Sequence, residues 1–106
     1  MFSRAQRLSS TEVRTVQKKG VRSFTPYFRM MFLTADDFRV SCIIPKKVIA
    51  KRIKRNREKR RILHITRSFS LVNNIIGHRV LSLQKDTTNI STEDLKIQLL
   101  KAFTSK

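Results

Sequence analysis

The sequence is poor in the residues that small proteins use as staples. Its 106 residues include one cysteine, Cys42, so neither a disulfide framework nor a cysteine-ligated zinc site holds the chain together. Two glycines and two prolines leave little material for long loops and predict regular elements with short connections. No stretch approaches the roughly 18 apolar residues that a membrane span needs. The opening residues, Met1-Phe2-Ser3-Arg4, hold no apolar run like that of a secretory signal. An Arg- and Ser-bearing, acid-poor start shares the composition of an organellar transit peptide, but residues 9–20 read as folded structure. A reducing intracellular compartment is the expectation, with one domain over residues 1–106 and residues 1–8 as a flexible lead-in.

Negative charge is also scarce. Seven Asp+Glu stand against 24 Lys+Arg, a formal net charge of +17. The excess is concentrated. Residues 46–61 hold ten basic side chains (Lys46, Lys47, Lys51, Arg52, Lys54, Arg55, Arg57, Lys59, Arg60, Arg61) and one acid, Glu58. The flanks, residues 1–45 and 62–106, carry only +5 and +3. A block of this kind is commonly a solvated helix face, a disordered tail or a localisation signal. Here it lies between segments that look folded, and it carries Ile49 and Ile53 before Ile62, Leu63 and Ile65. Pro45 is expected to close the preceding strand, with a helix following it to about Val72. On one continuous helix Ile49, Ile53, Asn56, Arg60 and Leu63 share a narrow arc, an apolar stripe interrupted by Asn56 and Arg60. An inward Arg is expensive to bury, so part of this face is expected to look into an open groove where phosphate can bind. A bend at Asn56 would dissolve the stripe.

The remaining elements follow from caps and alternation. Ser9-Ser10-Thr11-Glu12 is a capping box, with Leu8 and Val13 as its hydrophobic staple, and Gly20 supplies the stop. This predicts a helix over residues 10–19 with Val13 and Val16 inward. Val21–Phe24 reads as an edge strand ended by Thr25-Pro26, and Tyr27–Leu33 as a strand apolar on both faces. Phe38–Ile44 alternates, placing Phe38, Val40, Cys42 and Ile44 on one face. With Thr34–Asp37 as the turn, these last two strands are expected to form an antiparallel hairpin. A further strand is expected over Arg79–Gln84. Ile90 and Ser91 then repeat the staple and cap before a helix from about Thr92 to Phe103, with Leu95, Leu99, Ala102 and Phe103 inward. The order α-β-β-β-α-β-α is an α+β sandwich of helices on a sheet.

No catalytic constellation emerges. His64 and His78 lack acidic or cysteine neighbours at ligand or triad spacing, and His64 reads as a helix residue at a core edge. Asp36-Asp37 fits a turn, Glu93-Asp94 fits a first helical turn, and Cys42 fits a small core residue. There is no glycine-rich phosphate loop. Composition therefore predicts a binder of nucleic acid. A structural RNA binder such as a small ribosomal protein satisfies the same features. A DNA-binding protein fits less well, because basic residues surround the helix and no dimer signal is present.

Lys46-Lys47, a spacer from Val48 to Lys54, and then Arg55-Asn56-Arg57-Glu58-Lys59-Arg60 resemble the signature of the protein subunit of bacterial ribonuclease P. Arg7-Leu8-Ser9-Ser10, Val13, Lys19-Gly20, Pro26, Phe38-Arg39-Val40 and the Ser91-capped helix match that family's order of landmarks over residues 7–103. The resemblance implies a four-stranded sheet with a left-handed β-α-β crossover, a fold shared with a domain of a small-subunit ribosomal protein. It implies docking on a catalytic RNA through Lys46, Lys47, Arg52, Arg55, Asn56, Arg57, Lys59 and Arg60. It also implies a cleft between the first helix and the sheet for the 5′ leader of precursor tRNA, with Val13, Gln17, Tyr27, Phe28, Met30 and Phe32 as candidate lining. The hydrolysis would belong to the RNA, with Mg²⁺ held through it and no catalytic or metal-ligating residue in this chain. The partners would be the catalytic RNA and precursor tRNA, with no membrane and no obligate protein oligomer. The compartment would be the bacterial cytoplasm or an organelle of bacterial descent. The sequence departs from the pattern at Val13, Gln17 and near Met30, where the family carries aromatics. It departs also at Ile49 and Glu58, where small and apolar residues are commoner, and at Leu63, where an Arg often follows.

Overall fold

The capping box begins the first helix where the sequence places it. Ser9 Oγ accepts from the Glu12 N–H at 3.2 Å, and Glu12 Oε1 accepts from the Ser9 N–H at 3.0 Å. In the computed structural model, which describes residues 8–73 and 75–104, the elements are α1 (Ser10–Lys19), β1 (Val21–Phe24), β2 (Phe28–Leu33), β3 (Phe38–Ile43), α2 (Arg52–Asn73), β4 (Gly77–Leu83) and α3 (Thr92–Thr104). Of the expected flexible lead-in, residues 1–7 lie outside the described residues. Leu8 packs with Val13 against the buried Val16. Gly20 ends α1 in extended backbone, and the need for glycine there is space. A Cβ would sit 2.5 Å from the Val16 carbonyl oxygen and 2.8 Å from that of Phe32.

The strands form one four-stranded sheet in the order β1-β2-β4-β3. The antiparallel hairpin is β1–β2, with Val21 opposite Phe32. Its turn is held by the Thr25 N–H donating to the Phe28 carbonyl at 2.8 Å. The expected hairpin between the second and third strands does not form. β4 lies between them, antiparallel to β2 and parallel to β3, with Leu81 beside both Met30 and Cys42. The physical reason is burial. Val80 and Leu81 point to opposite faces and both are fully buried, which only a central position supplies. The connection over residues 34–37 therefore spans two inter-strand spacings, about 9–10 Å, and β3–α2–β4 becomes a parallel crossover. Gly77 starts β4 at a φ of 106°, beneath the Phe32 ring, where a side chain would be both strained and obstructed.

Each face of the sheet has its own core. On one, Phe28, Met30, Val40, Cys42, Leu81 and Leu83 pack against Ile62 and Ile65 of α2 and Leu95, Leu99 and Ala102 of α3. On the other, Met31 and Val80 pack beneath Val16 of α1. Burial pushes the Cys42 thiol up to about 12, so it is an inert core group.

α2 starts later than expected. Pro45 is followed by a single turn, in which the Val48 and Ile49 N–H groups both donate to the Pro45 carbonyl at 3.0 and 3.2 Å. Ile49 is buried before the helix begins, whereas Ile53 is 75 % exposed on it. The stripe drawn through Ile49, Ile53, Asn56, Arg60 and Leu63 is thereby broken at its first member. The buried side of α2 carries Glu58, Ile62 and Ile65 instead.

α1 is pinned to the sheet by charge as well as by Val16. Arg39 Nη1 donates to Glu12 Oε2 at 2.9 Å and Arg39 Nε to Asp37 Oδ2 at 2.7 Å, while His78 Nε2 lies 2.9 Å from Asp37 Oδ1. The Ser9 backbone N–H is the main cause holding the Glu12 carboxyl below its ordinary range, and the Arg39 guanidinium does the same for Asp37. Both folded values lie below the unfolded ones, so the stabilisation is complete above the carboxylate range and is lost as pH falls through it. The melting temperature should therefore drop below about pH 4. Arg39→Gln should lower it at pH 6 and make the acid decline shallower, leaving what Glu12 retains from the Ser9 N–H and what Asp86 retains from Thr88. Parallel pH–melting curves for the two proteins would show that the network does not anchor α1.

Candidate nucleic-acid interface

Three helices are described, and they begin in different ways. α1 has its capping box. α3 has Ser91 Oγ accepting from the Asp94 N–H at 3.1 Å, with Glu93 and Asp94 in its first turn. α2 has no acid in its first turn, where Arg52 and Lys54 stand instead. Cations at a helix N-terminus oppose the helix dipole by roughly 0.3–1 kcal/mol each when exposed. The lead-in adds Lys46 and Lys47, both exposed on the turn that the buried Ile49 anchors. The arrangement is unfavourable in isolation and complementary to a polyanion.

The expected docking residues divide by what they touch. Lys46, Lys47, Arg52, Asn56, Arg57, Lys59 and Arg60 are exposed. Arg55 is half-buried and turns back, with Nη1 donating to the carbonyls of Ile49 (3.1 Å) and Ala50 (2.7 Å). It ties the Lys46-Lys47 turn to the helix, a role that spacing alone did not reveal. Arg61 is taken up altogether differently. Its Nη2 donates to Glu58 Oε2 at 2.7 Å and to the Thr87 carbonyl at 2.6 Å, and its Nη1 donates to the Ile90 carbonyl at 2.8 Å. The Thr87 hydroxyl also donates to Glu58 Oε2. Glu58, only 4 % exposed, thus sits in a knot that binds α2 to the loop before α3. The one acid in the polycationic block is a strut, and it removes Arg61 from the outer surface.

The cleft candidates fare unevenly. Val13 and Gln17 lie half-buried on α1. Phe28 and Met30 are buried in the core on the α2–α3 side, and Phe32 lies over Gly77 with the Arg79 guanidinium 4.4 Å from its ring centroid. Tyr27 packs on the same side, with the Lys85 ammonium 5.8 Å from its ring centroid. These four cannot line a cleft under α1, because the sheet stands between. Strand alternation puts Phe24, Arg29, Met31 and Ser82 on the α1 face instead. Phe24 is 66 % exposed, and Arg29 Nε is buried without a hydrogen-bond partner among the described residues. The signal was legible: Arg29 is the lone charge in an otherwise apolar strand.

The family profile for Ribonuclease P matches residues 2–106. The chain belongs to the ribonuclease P protein family. It is accordingly a protein subunit of a tRNA-processing endoribonuclease. Among solved structures, the ribonuclease P protein of Thermotoga maritima superposes with a TM-score of 0.78 at 22% identity, over 90% of this chain and 92% of that one. The Staphylococcus aureus ribonuclease P protein gives a TM-score of 0.73 at 15% identity, over 93% of each chain. At such identity these two establish the fold. No curated protein sequence matches the chain. The α-β-β-β-α-β-α order and four-stranded mixed sheet are the ribonuclease P protein fold. Among the described residues no helix is long and apolar enough to cross a membrane.

Breaking a buried ion pair by removing one partner typically costs about 3–5 kcal/mol, and the partial exposure of Arg61 reduces that here. Glu58→Gln should destabilise by about 2–3 kcal/mol in urea unfolding. Glu58→Ile together with Arg61→Leu should recover at least half of the loss, since an apolar pair carries no desolvation penalty. Strictly additive losses across the double-mutant cycle would show that the two side chains are not coupled.

Proposed function

We propose that this ribonuclease P protein docks on the catalytic RNA of the ribonucleoprotein through the outer side of α2 and the Lys46-Lys47 turn, and that its α1 face holds the 5′ leader of precursor tRNA. The observation that carries the docking reading is the first half of α2, cationic, without an acid in its first turn and uncovered on its outer side. Arg57 and Arg60 suit bidentate phosphate contacts, while Lys46, Lys47 and Lys59 act as point charges. Asn56 both donates and accepts, so it suits a contact to an RNA base or ribose.

On the α1 face, Phe24 offers a stacking platform and Arg29 a guanidinium whose Nε has no hydrogen-bond partner among the described residues. Base–aromatic stacking is worth roughly 1–3 kcal/mol per base. Phe24 supplies an aromatic on this face although Val13 and Gln17 do not. The phosphodiester hydrolysis is assigned to the RNA, with Mg²⁺ held through it. Among the described residues no three His, Cys, Asp or Glu side chains gather as a metal site. The compartment proposed is the bacterial cytoplasm or an organelle of bacterial descent.

Reconstitution tests the reading directly. Added to its cognate ribonuclease P RNA at low Mg²⁺, the chain should stimulate leader removal from precursor tRNA. Phe24→Ala should reduce the preference for precursor over mature tRNA by about five- to a hundredfold, the range that one stacked base allows. Absence of stimulation would sink the function, and an equal loss for both tRNAs would sink the leader placement.

Docking has a separate signature in salt. Replacing Arg57 and Arg60 together by Ala should weaken binding to the RNA and flatten its dependence on salt by about 0.7–0.9 log units per lost contact. An unchanged slope would mean that these side chains do not meet phosphate.

A further inference from the structure

Resting on the docking reading above, we propose that the RNA-facing side of α2 continues past Arg60 to His64, and that docking takes up a proton there. The sequence places His64 at a core edge, but the structure exposes it. Its ring makes no hydrogen bond among the described residues, and its carbonyl accepts from the Ser68 hydroxyl at 3.1 Å. At 100° per residue, His64 lies about 40° around the helix from Arg60, about 20° from Arg57, and about 6 Å along the axis beyond Arg60. Ile53, Asn56, Arg57, Arg60 and His64 are all exposed on this side. Glu58, Ile62 and Ile65 occupy the other, where β3 and α3 pack.

The charged groups beside the imidazole are therefore Arg57, Arg60 and Arg67 on α2 itself. The helix's one acid, Glu58, points away into its knot with Arg61 and Thr87. A phosphate group near Arg60 that follows the helix by one more turn meets His64 next. Phosphate binds an imidazolium in preference to a neutral ring. Contact with phosphate at this position therefore favours the protonated ring, and docking draws in a proton. The ligand is the phosphate backbone of the same RNA, one helical turn beyond the family's basic motif.

The experiment measures binding of the full chain to in vitro transcribed ribonuclease P RNA at fixed ionic strength and at pH 6.0 and 7.5. The unsubstituted protein should bind roughly three- to tenfold more tightly at pH 6.0. His64→Gln, an exposed helix-compatible change, should lose most of that difference. Calorimetry at pH 6.5 in two buffers of different ionisation enthalpy should show proton uptake by the parent that His64→Gln abolishes. His78→Gln, which alters the other histidine, should keep it. A pH dependence that survives in His64→Gln, or none in the parent protein, would overturn the proposal. If in that case Arg57→Ala with Arg60→Ala still weakens binding, docking on α2 stands and only its extension is lost. If the double substitution leaves affinity unchanged, the docking reading falls and the proposal with it.

Discussion

A helix that is a polycation on the outside must still be held to an apolar core on the inside. That constraint organises the chain. Ten basic residues fall between Lys46 and Arg61, with Glu58 the only acid among them, and nothing in the first turn of α2 offsets their mutual repulsion. The helix persists because its inner side carries Ile62 and Ile65 into the main core. Burial of one such side chain is worth about 1.5–3 kcal/mol, more than an exposed cation loses against the helix dipole. Glu58 completes the arrangement by drawing Arg61 inward onto Thr87 and Ile90. Arg57, Lys59 and Arg60 stay exposed on the outer side.

The same constraint explains the sheet. The crossover through α2 returns the chain parallel to β3, so β4 enters between β2 and β3. A local hairpin between those two strands would have left Val80 or Leu81 on an edge. The central position buries both, and α2 and α3 close the face that β4 completes. Gly77 is needed where the chain enters, because the Phe32 ring occupies the place of a side chain there.

Much of this was legible in the residues. The bounds of α1 and α3, the inward Val40 and Cys42, and the edge position of β1 follow from caps and alternation, which are local rules. Strand order was not legible, because a four-residue connection between antiparallel segments reads as a hairpin whether or not a later strand enters between them. The register of α2 failed for a related reason. Ile49 and Ile53 have helical spacing, but Ile49 belongs to a turn that Pro45 and Arg55 organise. The concentration of basic residues between Lys46 and Arg61 is plain in the sequence. Its internal division into a brace (Arg55), a strut pair (Glu58 with Arg61) and an outer set (Arg57, Lys59, Arg60) required the partners in space. The resemblance points to Tyr27, Phe28 and Phe32 as aromatics and to Met30 as the position near a family aromatic, but none of them faces α1. Parity along β2 assigns Phe28, Met30 and Phe32 to the opposite side, with Arg29 and Met31 facing α1.

That parity bears on how two RNAs could be held at once. The outer side of α2 and the α1 face are separated by the full thickness of the sheet and its main core. On the proposed reading, a long structured RNA on α2 and a single-stranded leader near Phe24 and Arg29 would not compete for the same cations. They would differ in chemistry as well. The α2 side is almost purely electrostatic, so its affinity should be strongly salt-dependent. The α1 face pairs Phe24 with the guanidinium groups of Arg22 and Arg29 and with apolar walls, Met31 and Val13, so stacking and desolvation would count for more there. A chain with a net charge of +17 can thus avoid being a uniform polyanion trap. On that reading, charge density would be high where a permanent partner is docked, and lower where a substrate must also be released.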